Sequence, residues 1–213
     1  EAQFDAFTHE QAQYFQICAE QLQNALNYPI TKHICNTAGI ERFPEYHFDM
    51  CRLGIGLYGF SFLSSATLSG RANHSENREN IHSLRNVCTL KTTILSIKTV
   101  QAGDTIGYGR HTTLSEPRQI AVIPIGYADG FDRRFSNYGG EVLVRGKRCP
   151  VVGNVCMDQA MIDITGTDAQ VGDTAEIFGD RLPIAELADK LGTISYEVLT
   201  SISHRVQRVY FYE

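Results

Sequence analysis

Two tyrosines in this sequence stand in glycine-rich surroundings where a ligand could approach them. Tyr108 lies in Gly-Tyr-Gly and Tyr127 lies in Gly-Tyr-Ala-Asp-Gly. A core tyrosine normally lies in a strand among apolar neighbours, whereas flanking glycines expose it and leave room for a ligand. Taken alone, however, the pattern favours tyrosines of β-turns that pack on a sheet.

Two further segments have residues that could bind a ligand. In Arg52-Leu-Gly54-Ile-Gly56, glycines follow an apolar run, and backbone N–H groups at such a turn can bind a phosphate. Thr37, in Asn-Thr-Ala-Gly, could add a hydroxyl group. Cys156-Met157-Asp158-Gln159 separates two strand patterns and could be a ligand-binding loop. By itself each segment is more typical of a structural turn, or of a buried cysteine beside a core methionine.

The first third of the chain has the pattern of α/β units. Thr8 and Gln11 form a capping box, and apolar residues then recur every three or four positions, which predicts a helix over 8–27. Segments 32–35 and 50–59 predict two short parallel strands. Only about two such units fit before residue 60, which is too few to close an eight-stranded barrel.

The rest of the chain has a different residue pattern. Residues 61–86 are polar and turn-rich, which predicts a loop. From residue 90, β-branched residues alternate with glycine-containing turns, which predicts a β-rich domain. Pro183 is expected to open a short helix through Leu191, residues 196–202 form another, and residues 204–212 form a final strand. We therefore expect two regions, 1–87 and 88–213.

Composition excludes several classes of function. The 213 residues include 19 Lys and Arg against 24 Asp and Glu, a net charge of −5, which argues against a generic nucleic-acid binder. We find no apolar run near the roughly 18–20 residues that cross a bilayer, and no signal peptide. The six cysteines form no CxxC motif, so neither a disulfide framework nor a metal site is expected. These features predict a cytoplasmic protein, and the start at Glu1 suggests a piece of a longer one.

Taken together, the motifs resemble the C-terminal half of bacterial alanine racemases. The matching segments follow one another in the family's order over nearly the whole chain, at 33–39, 48–59, 107–109, 126–130, 152–159 and 193–198. The resemblance implies a pyridoxal-phosphate enzyme that works as a homodimer with shared active sites. It also implies the fold class: a mixed α/β fragment of a (β/α)8 barrel over 1–87, followed by a mainly β C-terminal domain over 88–213.

The resemblance further implies the residues that bind the cofactor. The Thr37 hydroxyl, the backbone amides of Gly54 and Ile55, and Tyr196 would contact its phosphate. Arg52 would face the pyridine nitrogen. Because a guanidinium keeps its proton, that nitrogen would stay unprotonated, and the ring would be a weaker electron sink.

The resemblance assigns the substrate side as well. Tyr108 would transfer a proton on one face of the substrate, opposite a lysine on the other face. Tyr127 and Met157 would lie on the side of the substrate carboxylate, and Arg133 would line the access channel. Asn154 stands where many relatives have an arginine, which changes the expected charge of that channel. The lysine that anchors the cofactor belongs to the family's N-terminal half, and no lysine of this chain stands in its context.

The sequence thus predicts the C-terminal portion of an isomerase that interconverts L-alanine and D-alanine by two-base proton transfer, supplying D-alanine for peptidoglycan. The isolated chain is expected to be inactive because it lacks the anchoring lysine. One alternative is a racemase of another amino acid, such as serine. Another is a non-catalytic dimerisation module of a cell-wall fusion enzyme.

Overall fold

The computed structural model describes residues 5–61 and 84–211. The chain divides into two compact units, Glu1–Val87 and Cys88–Glu213. Most of the loop predicted over 61–86 lies outside the described residues. In the described part, none of the helices combines the length and apolar character that crossing a membrane requires.

The first unit begins with helix α1, Asp5–Ala25, followed by the short helix α2, Thr37–Arg42. Two 3-10 helices follow, Pro44–Tyr46 and Ile55–Tyr58. The prediction of a long first helix is confirmed, but the prediction that Thr8 and Gln11 form a capping box at its start is wrong. Because the helix already includes Asp5, Thr8 lies inside it rather than at its N-cap.

The prediction of two strands in this unit is wrong, since neither segment 32–35 nor segment 50–59 forms a strand. Segments 32–35 and 49–52 run side by side in the same direction, joined by backbone hydrogen bonds from Asp49 N to Lys32 O (3.1 Å) and from Arg52 N to Cys35 O (2.9 Å). These bonds are three residues apart, whereas a strand ladder follows the two-residue repeat of extended chain. The parallel course was therefore predicted correctly, but the regular pairing does not form.

The second unit is built mainly of antiparallel strands. They are β1 (Leu90–Thr93), β2 (Ser96–Val100), β3 (Thr105–Ile106), β4 (Thr112–Thr113), β5 (Arg118–Ile123), β6 (Glu141–Val144), β7 (Lys147–Val152), β8 (Ala160–Asp163) and β9 (Thr174–Phe178). Seven of them form one sheet in the order β1-β9-β6-β7-β8-β5-β2, and β3 and β4 form a separate two-stranded ribbon. The predicted β-rich domain is confirmed.

The large sheet curls. Only Ile94 and Leu95 separate β1 from β2, yet these strands lie at opposite ends of the strand order. At this corner Ile94 N donates to Asp173 O and Leu95 N donates to Val122 O, so the chain passes directly from one edge to the other. Side chains on the inner face form the core, where Val142, Val144, Val151, Ala160, Ile162 and Ala175 have no solvent exposure.

Two helices complete the second unit: α3, Ile184–Leu191, and α4, Ser195–Ser201. Both were predicted to within one residue, with Pro183 immediately before α3. The strand predicted at the C-terminal end is wrong for the described residues 204–211, which pair with no strand. Val209, Tyr210 and Phe211 are instead largely exposed.

Candidate functional site

A cleft of about 500 Å³ in the second unit is lined by all four residues that the resemblance assigned to proton transfer and to the substrate. Three loops build it: one follows β3, one follows β5, and one joins β7 to β8. Its lining residues are Tyr108, Tyr127, Arg133, Asn154, Val155, Cys156, Met157, Asp158 and Gln159.

Two glycines present Tyr108 to this cleft. Gly107 and Gly109 have φ angles of 73° and 76°, a left-handed conformation that side chains disfavour. Gly107 also packs closely, since a Cβ there would lie 2.9 Å from Cε of Met161. The Tyr108 side chain is 78% exposed, so its hydroxyl is accessible to a ligand or to another chain.

The loop that carries Tyr127 is joined along its backbone to the loop that carries Met157. Tyr127 N donates to Cys156 O and Ala128 N donates to Met157 O, both at 3.0 Å. The approach requires glycine at position 126, because a Cβ there would lie 2.2 Å from the Cys156 carbonyl oxygen. The two loops therefore form one wall of the cleft.

An ion-pair network fixes this wall from behind. Asp129 accepts a hydrogen bond from Gly126 N (2.9 Å) and another from Arg205 Nε (2.6 Å), and Arg205 also pairs with Asp158. Burial disfavours the charged form of Asp129, but the hydrogen bonds from Arg205 and Gly126 outweigh it and hold the pKa below its ordinary value. Arg205 thus bridges the Tyr127 loop and the Met157 loop.

The charges that face the cleft are few. Among the described residues that line it, only Arg133 and Asp158 are ordinarily charged, and Asp158 is paired with Arg205. Arg133 is exposed at the start of a 3-10 helix, Arg133–Phe135. Arg133 is therefore the positively charged side chain of the cleft that could bind a carboxylate.

In the first unit, Thr37 joins the glycine turn predicted to bind phosphate. The Thr37 Oγ1 atom accepts hydrogen bonds from Gly54 N (3.0 Å) and Gly56 N (3.3 Å), and the residue is 2% exposed. Gly56 is needed for this approach, since a Cβ there would lie 2.9 Å from Cγ2 of Thr37. Gly56 was noted in the glycine motif, but its contact with Thr37 was not predicted from the sequence.

Arg52 is held by the parallel segment beside it. Its Nη2 donates to Ile34 O at 3.2 Å, and its Nη1 lies 2.7 Å from Nδ1 of His33. A guanidinium has no acceptor, so His33 Nδ1 must accept and its ring proton must sit on Nε2. No local pattern indicated this role for His33, because the contact spans 19 residues.

The predicted residues are thus distributed over both units. Thr37, Arg52, Gly54 and Ile55 belong to the first unit, and Ile55 is buried. Tyr196 lies on α4 of the second unit, partly buried, and does not line the cleft.

Comparison with known proteins places this geometry in a family. Residues 87–210 match the family model "Alanine racemase, C-terminal domain", and residues 1–62 match "Alanine racemase, N-terminal domain". Alanine racemase 1 of Oceanobacillus iheyensis is 40% identical over 97% of this chain and 53% of its own length. The alanine racemase of Desulfosudis oleivorans is 40% identical over 95% of this chain and 51% of its own length.

Solved structures agree with the sequence matches. The alanine racemase from Bacillus anthracis with bound L-Ala-P has a TM-score of 0.84 at 32% identity, covering 97% of this chain and 51% of that one. The enzyme from Bartonella henselae with covalently bound pyridoxal phosphate has a TM-score of 0.79 at 29% identity, covering 99% of this chain and 54% of that one. These likenesses confirm the predicted fold class, a barrel fragment followed by a mainly β domain. The chain spans about half the length of the relatives it matches, and it belongs to the alanine racemase family.

Proposed function

We propose that the whole protein interconverts L-alanine and D-alanine with pyridoxal phosphate, and that this chain supplies one of the two groups that exchange the α-proton. The observation that carries the proposal is the convergence of Tyr108, Tyr127, Arg133 and Met157 on one cleft. The family match supports the same reaction. When bound, pyridoxal phosphate supplies an electron sink that acidifies the α-hydrogen of an amino acid.

The Thr37 turn fits a phosphate group. Because two backbone N–H groups already donate to Thr37 Oγ1, the hydroxyl proton is what this side chain offers to an anion. The backbone N–H of Ile55, at the start of a 3-10 helix, has no acceptor among the described residues. A hydroxyl donor and an unpaired amide on one turn support phosphate binding by Thr37 and Ile55. The Gly54 amide, which was also predicted to contact the phosphate, donates to Thr37 Oγ1 instead and holds that side chain in place.

Arg52 fits the pyridine nitrogen. Its guanidinium is fixed by Ile34 O and His33 Nδ1, and it offers only hydrogen-bond donors. Facing a ring nitrogen, it would donate a hydrogen bond and leave that nitrogen unprotonated. We infer that Arg52 thereby limits the strength of the electron sink and restrains side reactions such as transamination.

The cleft of the second unit fits the substrate side. The Tyr108 phenol is placed to give or take a proton at its oxygen, and Arg133 offers a positive charge to a carboxylate. Tyr127 and Met157 line the same cleft and would lie on the side of the substrate carboxylate.

The exposure of this cleft supports a shared site in a homodimer. Tyr108 is 78% exposed, Met157 is 54% exposed and Tyr127 is 44% exposed. Exposed aromatic and apolar side chains around a cleft are typical of a surface that another subunit covers, and most soluble oligomers pair identical chains. We therefore propose that this cleft completes an active site with a second copy of the protein.

The test is the Tyr108→Phe variant of the complete protein. We expect racemisation of alanine to fall by about 10²- to 10⁴-fold, because general acid or base groups typically contribute that much. Absorbance of the bound cofactor should be unchanged. Tyr138→Phe is the matched control, since Tyr138 is also exposed in the second unit but does not line the cleft. Near-normal racemisation by Tyr108→Phe would remove Tyr108 from the catalytic role.

The same assay separates the alternatives. Rates over a panel of L-amino acids that includes alanine and serine give the substrate preference directly. A preference for serine would replace the proposed substrate. A complete protein without any racemase activity would instead support the dimerisation module.

A further inference from the structure

Three side chains connect the Tyr108 loop to the body of the second unit by hydrogen bonds. We call Thr112, Asn137 and Asn154 the amide relay. Gly153 N donates to Thr112 Oγ1 (3.1 Å), and Thr112 Oγ1 donates to Asn137 Oδ1 (2.7 Å). Asn137 Nδ2 then donates to Asn154 Oδ1 (3.2 Å), and Asn154 Nδ2 donates to the backbone carbonyl of Tyr108 (2.8 Å).

The direction of the relay is fixed at both ends. It begins at a backbone N–H, which can only donate, and it ends at a backbone carbonyl, which can only accept. Each side chain between them must therefore accept on one side and donate on the other, which determines how both asparagine amides are turned. A carboxylate at position 154 could still accept from Asn137, but it could not donate to Tyr108.

Besides the relay, the Tyr108 loop has a hydrogen bond from Arg110 Nε to Thr105 Oγ1 (3.0 Å), which stays within the loop and the strand before it. The loop connects two strands of two residues each, and glycines in left-handed conformation stand on both sides of an exposed tyrosine. Thr112 pairs with Ile106 across this ribbon, so the relay begins next to one end of the loop and ends on Tyr108 itself. It therefore closes the loop against residues 153–154 and restricts where the phenol can lie.

Burial adds to the effect. Thr112 is 6% exposed and Asn154 is 9% exposed, whereas Asn137 between them is exposed. The bond from Gly153 N to Thr112 Oγ1 is buried and the other three are partly buried, so removing Thr112 or Asn154 leaves a shielded polar atom without its partner. Asn154 also lines the cleft, directly beside the loop that it holds.

We propose that Asn154 is a positioning residue for proton transfer, acting through its hydrogen bond to the Tyr108 carbonyl. The proposal rests on the catalytic role of Tyr108 proposed above. Misplacing a reacting group by about 1 Å can cost on the order of 10²-fold in rate. Loss of the relay should therefore slow chemistry at Tyr108 and leave substrate binding nearly unchanged.

The experiment compares Asn154→Asp and Thr112→Val in the complete protein with cofactor bound. We expect kcat to fall by about 10- to 100-fold in Asn154→Asp and by a smaller factor in Thr112→Val. KM should stay within about twofold in Thr112→Val, whereas Asn154→Asp also places a negative charge in the cleft and should raise KM for a carboxylate substrate. Thr113→Val is the matched control, because Thr113 is the next residue of the same strand, is exposed and lies outside the relay. A thermal unfolding scan of each variant shows whether it folds.

The decisive readout is the isotope effect of α-deuterated alanine, measured separately for each enantiomer. If Asn154 positions Tyr108, the effect should rise for the enantiomer whose α-hydrogen Tyr108 removes, and not for the other. Equal changes for both enantiomers, a change in KM alone, or wild-type rates in both relay variants would overturn the proposal. Wild-type rates in the relay variants together with an inactive Tyr108→Phe would overturn this inference alone. An active Tyr108→Phe would overturn the proposed function.

Discussion

Replacing Asp129 with asparagine tests how the wall of the cleft is held together. The Asp129 side chain is 12% exposed and accepts charge-assisted hydrogen bonds from Arg205 Nε and from Gly126 N. Asparagine can still accept from Gly126, but no longer carries the charge that pairs with Arg205. A hydrogen bond to a charged group contributes about 1.5–3 kcal/mol, so we expect the free energy of unfolding to fall by that amount.

Asp158 provides the control, because it pairs with the same arginine from a position that is 57% exposed. Exposed ion pairs contribute about 0.2–1 kcal/mol, so Asp158→Asn should cost distinctly less than Asp129→Asn. The assay is urea denaturation followed by far-UV circular dichroism, since the chain has no tryptophan to report by fluorescence. Equal losses for the two variants would refute the argument that burial of Asp129 sets the strength of this contact.

The same carboxylate predicts a dependence on pH. Burial disfavours its charged form, but Arg205 and Gly126 outweigh that cost, so its pKa in the folded protein lies below the ordinary value of about 3.9. Its stabilisation is therefore complete above the unfolded-state pKa and disappears as the pH falls through the folded-state pKa. Between neutral pH and about pH 3, Asp129→Asn should lose less stability than the wild-type chain. A parallel loss in both proteins would contradict the assignment.

Two further predictions concern the packing of the cleft and the content of the chain. Gly126→Ala should destabilise the chain by about 1–3 kcal/mol and raise the KM of the complete enzyme, because a Cβ 2.2 Å from the Cys156 carbonyl forces the Met157 loop to move. An unchanged free energy of unfolding together with an unchanged KM would contradict this prediction, because it would show that the loop accommodates the added Cβ. The 213-residue chain alone should neither racemise alanine nor show the absorbance band of lysine-bound pyridoxal phosphate. The complete protein should racemise alanine and show that band. Turnover by the chain alone would contradict the view that it lacks the anchoring lysine.

Local patterns predicted much of the fold. The helices at 5–25, 184–191 and 195–201 follow from apolar spacing and from Pro183, and the strands from β-branched runs between glycine turns. The errors occur where pairing depends on distant chain. Segment 32–35 is extended but makes too few bonds to be a strand, and the described end of the chain finds no strand edge despite a strand-like sequence.

The candidate site divides in the same way. Glycines beside Tyr108, Tyr127 and Arg52 were visible in the sequence because each shapes the backbone next to it. The contact of His33 with Arg52 and the bridge from Asp129 through Arg205 to Asp158 were not visible, since they join residues 19 to 76 positions apart.

The sequence by itself determined the residue types and turns that give this chain a phenol, a cation and a phosphate-binding turn, because those depend on neighbouring residues. Only the tertiary structure decided which of them meet. Folding of the second unit brings the loop of the β3–β4 ribbon to the loops that follow β5 and β7, and long-range hydrogen bonds such as that from Asn154 to Tyr108 fix how the phenol is held. Such bonds form between groups that approach only when the core packs, so no local pattern encodes them.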